Sequence, residues 1–326
     1  MKSDTLFIAT RGSALALAQA KDILSRCQKA FPEKNFDLKI IKTTGDKLQT
    51  ASLARIDAAL PRGLFTKEIE EALLSGEAHL AVHSLKDLPT DLPEGLKLGA
   101  TPERADVRDV LIYRKEASTA RGFQGDLMVE SLVDVKPSAV VATSSTRRGA
   151  QLRLHRPDLR VVPIRGNVGT RLHKLAEHTE LDALILAAAG LRRLGFQVDS
   201  EGNLSGVDVP PGLKACFLST EEMLPCVGQA AIGVEIRADD SAVVSICERL
   251  NHWNTWHAVA AERAFLNALG GGCQSAVAAY ATCSENGLSL KAVSFLSGHV
   301  WRGTIQGQAE AASQLGEEVA GRLKGV

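Results

Sequence analysis

The sequence predicts an α/β protein that ends in a small α+β unit, and three observations carry that reading. From residue 5 to about 195, short apolar runs alternate with amphipathic stretches, the order that builds a mostly parallel sheet covered by helices. After about Ser241 two helices come in succession, followed by a triple glycine, three alternating strands and a last helix. Helices and strands are segregated there, which is the α+β pattern. With 326 residues, 45% hydrophobic and 23% charged, the chain can fill two or three globular domains at ~100–200 residues each.

Residues 5–10 form a short apolar strand. Ser13 then caps a helix to about Ala30, with Leu17, Ala20, Leu24 and Cys27 on one face. Residues 36–43 alternate and are β-branched, a strand; Thr66 caps a helix over 67–75; residues 79–83 and 97–100 are strands. A second unit begins near Asp109 with a strand at 110–113. Strands at 139–142, 161–164 and 183–186 feed helices at 146–155, 168–178 and 187–194. Residues 115–129 and 197–212, polar and glycine-containing, read as surface insertions. The last unit has helices at 242–251 and 255–269, strands at 277–283, 287–296 and 299–306, and a helix at 310–323.

Lys+Arg and Asp+Glu are both 38, so the formal net charge is zero. A nucleic-acid binder usually carries a basic excess, so neither that partner nor a membrane surface is expected. Residues 1–10 lack a secretory pattern, and no run approaches the ~18 apolar residues of a membrane span. The six cysteines show no CxxC and no Cys/His spacing for zinc. A cytoplasmic protein with reduced thiols and no metal is expected.

The chemistry concentrates where strands end. Arg11-Gly12-Ser13, the segment 143–148 with Arg147 and Arg148, and the segment 165–171 with Arg165 and Arg171 each place arginine at a helix start. Ligands of open α/β sheets bind outside the carboxyl ends of strands, and helix N-termini there offer free N–H groups. Arginine opposes the dipole at that end, so three such placements point to a ligand with many negative charges. Taken singly, each is equally a solvated or locally paired surface charge. Residues 81–90 end a strand in Ser-Leu-Lys-Asp-Leu-Pro, placing Lys86 and Asp87 at a carboxyl end, where a plain loop ion pair is the alternative. Gly270-Gly271-Gly272 leads into Cys273, the one cysteine in a flexible loop context, which suits a covalent bond.

Taken together these segments resemble the porphobilinogen deaminase family. The matching stretches are 9–13, 45–46, 63–68, 81–89, 143–148 with 150–152, 165–171, 189–195, 224–229 and 271–274, in the family's order along nearly the whole chain. The resemblance implies two periplasmic-binding-protein-like α/β domains around a cleft plus a small C-terminal α+β domain. It places the first domain over 1–105 plus 230–240, the second over 106–229 and the third over 241–326, with Gly228 at a hinge. It implies stepwise head-to-tail condensation of four porphobilinogen molecules, with release of ammonia, on a covalent dipyrromethane cofactor held by Cys273. Asp87 then has the catalytic role. Lys86, Asp87, Ser144, Ser145, Arg147 and Arg148 hold the cofactor; Arg11, Ser13, Gln19, Arg165, Arg171, Arg193 and Gln229 hold substrate. A monomer is expected. The chain departs from the family pattern at 55–62, Thr146, Ala230 and Ser275-Ala276.

Two other readings use the same features. A receptor-type module for a dicarboxylate or oxyanion explains the helix-start arginines but not Cys273 or the last unit. Another anion-handling transferase on this fold has no motif in its favour.

Overall fold

The computed structural model describes residues 5–45, 65–114, 129–272 and 275–324. Cys273, Gln274, the departure at 55–62 and nearly all of the 115–129 insertion lie outside these residues.

The first sheet begins with β1 (Leu6–Arg11), which Ser13 turns into α1 (Ala14–Ala30) by accepting from the Ala16 amide. β2 (Phe36–Ile41) and β3 (Leu80–Ser84) flank β1 in parallel, with α2 (Lys67–Leu74) between them in sequence. Thr66 precedes α2, but its hydroxyl makes no cap, contrary to the sequence expectation; its backbone is already helical, at φ −119° and ψ −28°. β4 (Leu96–Ala100) closes one edge, and β12 (Ile232–Arg237) is inserted between β3 and β4, antiparallel to both.

The second sheet has the order β11-β5-β8-β6-β7. β6 (Val140–Ala142), β7 (Arg160–Val162) and β8 (Ala183–Ala187) are parallel, joined through α3 (Thr146–His155) and α4 (Val168–Glu177). β5 (Asp109–Arg114) runs against them, and β11 (Leu213–Phe217), antiparallel to β5, runs in their direction. Each sheet thus has four strands in one direction and one against them, the mostly parallel arrangement expected from the sequence. The two opposed strands follow from the path of the chain: β5 carries it into the second sheet and β12 returns it to the first. The short α5 (Ala188–Arg193) follows β8, and the expected 197–212 insertion contains a two-strand hairpin, β9 (Gln197–Val198) and β10 (Leu204–Ser205).

α6 (Ser241–Leu250) packs on the first sheet: Val243, Ile246, Cys247 and Leu250 share a core with Ile8, Ala20, Leu80 and Ile236. A boundary at 241 would separate this helix from the core that buries it. α7 (Trp253–Ala268) and α8 (Ala312–Lys324) then cover an antiparallel meander of β13 (Val277–Ser284), β14 (Gly287–Ser294) and β15 (Trp301–Gly307). Their core is Phe265, Leu290 and Val319. Gly316 lets the two helices touch, because a Cβ there would lie 2.2 Å from the Ala261 carbonyl oxygen.

The three units meet at one buried ion pair. Arg104, on the way out of the first sheet, forms a two-bond fork with Glu262 of α7 at 2.7 and 3.0 Å. Glu262, fully buried, also accepts from the amides of Gly228 and Ala281, and Arg104 donates to the Gln229 carbonyl. Both chain crossings and the third unit are thus tied to a single carboxylate.

Candidate active site

The candidate residues collect at the carboxyl ends of the strands, but they do so in two layers. The inner layer is buried. Asp109, at the first position of β5, is fully buried between Arg147 and Arg148. Its Oδ2 accepts from Arg147 at 2.6 Å, and its Oδ1 accepts twice from Arg148, at 2.7 and 3.1 Å. Burial alone would push this carboxyl up; the charges and hydrogen bonds of the two arginines outweigh it and hold it well below the usual carboxylate range. Gln229, also fully buried, donates to Asp109 and to the Val107 carbonyl and accepts from Arg147.

This is a correction to three equivalent helix-start arginine sites. Arg147 and Arg148 are buried and serve Asp109, since an acid sits within reach in the sheet they cover. Arg148 bonds Asp109 and the Ile185 carbonyl through all three of its nitrogens. Arg147 keeps one buried Nε with no hydrogen bond, so some of its capacity is unspent. Gln19 is likewise buried, its amide exchanging hydrogen bonds with Ser84 at the end of β3 at 2.9 and 3.1 Å.

The serines do structural work. Ser145 caps α3 by accepting from the Arg148 amide, and Ser13 caps α1. The Ser144 hydroxyl bridges β6 to the end of β7, donating to the Ile164 carbonyl at 2.7 Å and accepting from its amide at 3.0 Å. Each hydroxyl thereby fixes the arginine or helix start beside it.

The outer layer is open. β3 runs into a 3-10 turn over Leu85–Asp87; Lys86 is half-buried and Asp87 exposed. The turn is seated by the Leu85 amide on the Ala231 carbonyl and by Gly228 beneath it. Gly228 has φ +68°, and a Cβ there would meet Leu85 and the Lys86 nitrogen at 3.1–3.2 Å. Among the described residues, Asp87 accepts no hydrogen bond, and Lys86, Arg165, Arg171 and Arg193 form no ion pair. Arg171 uses only its Nε, on the Gly166 carbonyl, and Arg193 donates to the Ala230 carbonyl. Burial, and then the Arg148 charge, lowers the affinity of Arg171 for its proton; burial does the same to Arg193, with Asp22 opposing. Both remain protonated, and among the described residues neither forms an ion pair. Arg11 stacks over the Phe65 ring at 4.3 Å.

These residues fit a polycarboxylate with pyrrole N–H groups: among the described residues, half-buried cations form no ion pair and one exposed carboxylate accepts no hydrogen bond. Burial pushes the thiols of Cys27, Cys216 and Cys247 up to about 12, so all three stay protonated. That leaves them unsuited to a covalent role. Sequence reasoning did not single out Asp109, Arg104, Glu262 or Arg263. The available signal for Asp109 was an acid opening an otherwise apolar strand.

Two family models match the chain in succession. Residues 6–245 match the porphobilinogen deaminase, dipyromethane cofactor binding domain, and residues 256–325 match the porphobilinogen deaminase C-terminal domain. The chain belongs to the porphobilinogen deaminase family. Relatives named porphobilinogen deaminase include one from Syntrophus aciditrophicus, 42% identical over 97% of this chain and 94% of its own length. Another, from Carboxydothermus hydrogenoformans, is 42% identical over 99% of this chain and 94% of its own. A third, from Trichlorobacter lovleyi, is 43% identical over the same shares. Among solved structures, an amino acid ABC transporter substrate-binding protein from Streptococcus pneumoniae is a distant likeness, 13% identical with TM-score 0.38 over 76% of this chain and 87% of that one.

Proposed function

We propose that this porphobilinogen deaminase condenses four porphobilinogen molecules head to tail, with Asp87 as its catalytic carboxylate. The observation that carries the reading is the outer layer: Asp87 without a side-chain hydrogen bond, and Lys86, Arg165, Arg171 and Arg193 without an ion pair, among the described residues. The dipyrromethane cofactor, when bound through Cys273, supplies the free pyrrole α-carbon on which the product grows.

This chain's residues then have distinct tasks. Loss of ammonia from porphobilinogen leaves positive charge shared with the ring nitrogen. Asp87 accepts that N–H, stabilises the cation and orients the ring for attack. The Lys86 ammonium and the guanidiniums of Arg11, Arg165, Arg171 and Arg193 bind the acetate and propionate groups, Arg bidentately. Arg147, Arg148, Ser144 and Ser145 form the cofactor end of the site; Arg148 and the serines act mainly by fixing that end, while the open Nε of Arg147 is left to bond. Ser13, Gln19 and Gln229 belong to the substrate side, each holding an element end.

The domain division we propose is 1–105 plus 230–240, 106–229, and a third unit, with 241–250 joined to the first by its core. Monomeric state, cytoplasmic location and the lack of nucleic-acid or membrane partners complete the proposal. In its favour, among the described residues no helix is long and apolar enough to cross a membrane. A receptor module for an oxyanion accounts for the cations but for neither Asp87 nor the C-terminal domain.

Intact-mass measurement tests the reading. Protein from heme-competent cells should exceed its sequence mass by two linked pyrrole units, and Cys273→Ser should not. An unmodified mass for the unsubstituted protein would sink it.

A further inference from the structure

The helix that leads to the cysteine loop also grips the segment leaving Asp87. We propose that Arg263, on α7, is a positioning residue for the reaction: it sets the place of the Asp87 turn relative to that helix. The inference rests on the functional reading above.

Arg263 Nη1 donates to the Leu88 carbonyl at 3.1 Å. Its Nη2 donates to the carbonyls of Pro89 at 2.6 Å and Thr90 at 3.2 Å. One turn on, Asn267 Oδ1 accepts from the Thr90 hydroxyl at 3.3 Å. The three carbonyls belong to no strand or helix, and Pro89 has no N–H to anchor itself, so side-chain donors must order this stretch. The Leu85–Thr90 segment is consequently fixed at both ends. Its start rests on the Ala231 carbonyl through the Leu85 amide, and its end rests on Arg263. Asp87 lies between these fixings with no hydrogen bond of its own among the described residues.

Arg263 stands ten positions before Cys273, and α7 ends at Ala268. One helix therefore carries the clamp on the carboxylate's turn, and from its end the chain leads through Gly270-Gly271-Gly272 to Cys273. The Gly271 amide, on the Leu266 carbonyl at 3.1 Å, keeps the start of that loop on the helix end. A planar guanidinium can span three successive carbonyls, as an ammonium point charge does less well. Misplacing a reacting group by ~1 Å costs on the order of 100-fold in rate, so loosening this clamp should register in turnover.

The test uses full-length, cofactor-loaded protein and the variants Arg263→Ala, Arg263→Gln and Arg263→Lys. Loading is read by intact mass, and kcat and KM are measured with porphobilinogen. Arg263→Ala should keep the two-pyrrole mass excess and a KM within about twofold, while kcat falls at least about tenfold. The mass distribution of enzyme carrying added pyrroles should show every addition slowed alike, since one turn serves each. Arg263→Lys should recover only part of the kcat, because a like charge with three N–H donors remains but cannot span the three carbonyls as the guanidinium does. A packing role alone would not split kcat from KM or be rescued by lysine. Unaltered kcat in loaded Arg263→Ala would overturn the inference alone. If that variant does not fold, folded Arg263→Gln decides by the same criterion. A missing mass excess in the unsubstituted protein would overturn the deaminase reading and this inference with it.

Discussion

Two aspartates show how surroundings divide one chemistry into two uses. Asp87 is exposed on a turn and accepts no hydrogen bond among the described residues, so Asp87→Ala should fold normally yet lose at least ~100-fold in turnover. Near-normal turnover would remove it from the mechanism. Asp109 is buried between two guanidiniums, and Asp109→Asn leaves those charges uncompensated. Urea unfolding at neutral pH should show a loss of about 3–5 kcal/mol. The sign of its pH dependence follows from its lowered carboxyl. The stabilisation is fully present above the unfolded value, near about pH 4, and declines as pH falls through the depressed folded value. The difference between Asp109→Asn and the unsubstituted protein should thus hold steady from neutral pH down to that point and shrink only in stronger acid. A difference that vanished by pH ~5 would contradict the assignment. At this scale the sequence marked Asp87 through its place after a strand. It did not mark Asp109, because what defines Asp109 is two arginines about forty positions away.

Elements explain which parts of the fold were legible. Ser13 followed by an amphipathic run foretold α1, and α3 and α4 begin where the arginine-bearing turns end. β11 and β12 were missed. β12 reads Ile-Gly-Val-Glu-Ile-Arg, whose glycine and glutamate break the apolar run. In the fold Glu235 is fully buried against His83 at 3.0 Å, and Gly233 makes room for Leu85. Tertiary partners made these residues acceptable in a central strand. In the segment between the two strands, both Gly228 and Ala230 have positive φ, +68° and +69°. For alanine this conformation costs roughly 1–2 kcal/mol, which the buried junction must hold in place. Gly228→Ala adds the same cost and presses on Leu85 and Lys86. It should lower both thermal stability and kcat, whereas an effect on stability alone would show that the Asp87 turn is insensitive to what lies beneath it.

For the molecule as a whole, the open cations are spread over both sheets. Lys86 follows β3 of the first, while Arg165, Arg171 and Arg193 follow β7 and β8 of the second, and α1 packs against α5 across the divide. A product that gains carboxylates with every pyrrole would meet these charges in turn. Substituting Arg165 or Arg171 by glutamine should therefore make enzyme-bound species of particular lengths accumulate in a single-turnover mass experiment. Uniform slowing of every step would instead assign these arginines to general attraction.

The sequence by itself determined the class of each unit, the helix starts, the polyanionic character of the ligand and the residues to suspect. These depend on local periodicity, capping chemistry and the identity of side chains at strand ends. Tertiary structure alone decided how the arginines divide. Arg147 and Arg148 pair with Asp109, while Arg165, Arg171 and Arg193 form no ion pair among the described residues, because pairing is set by distance in space rather than by position in the chain. The same holds for Glu262 and Arg263: neighbours on one helix, they bind segments from distant parts of the chain, and only the folded protein brings those segments to them.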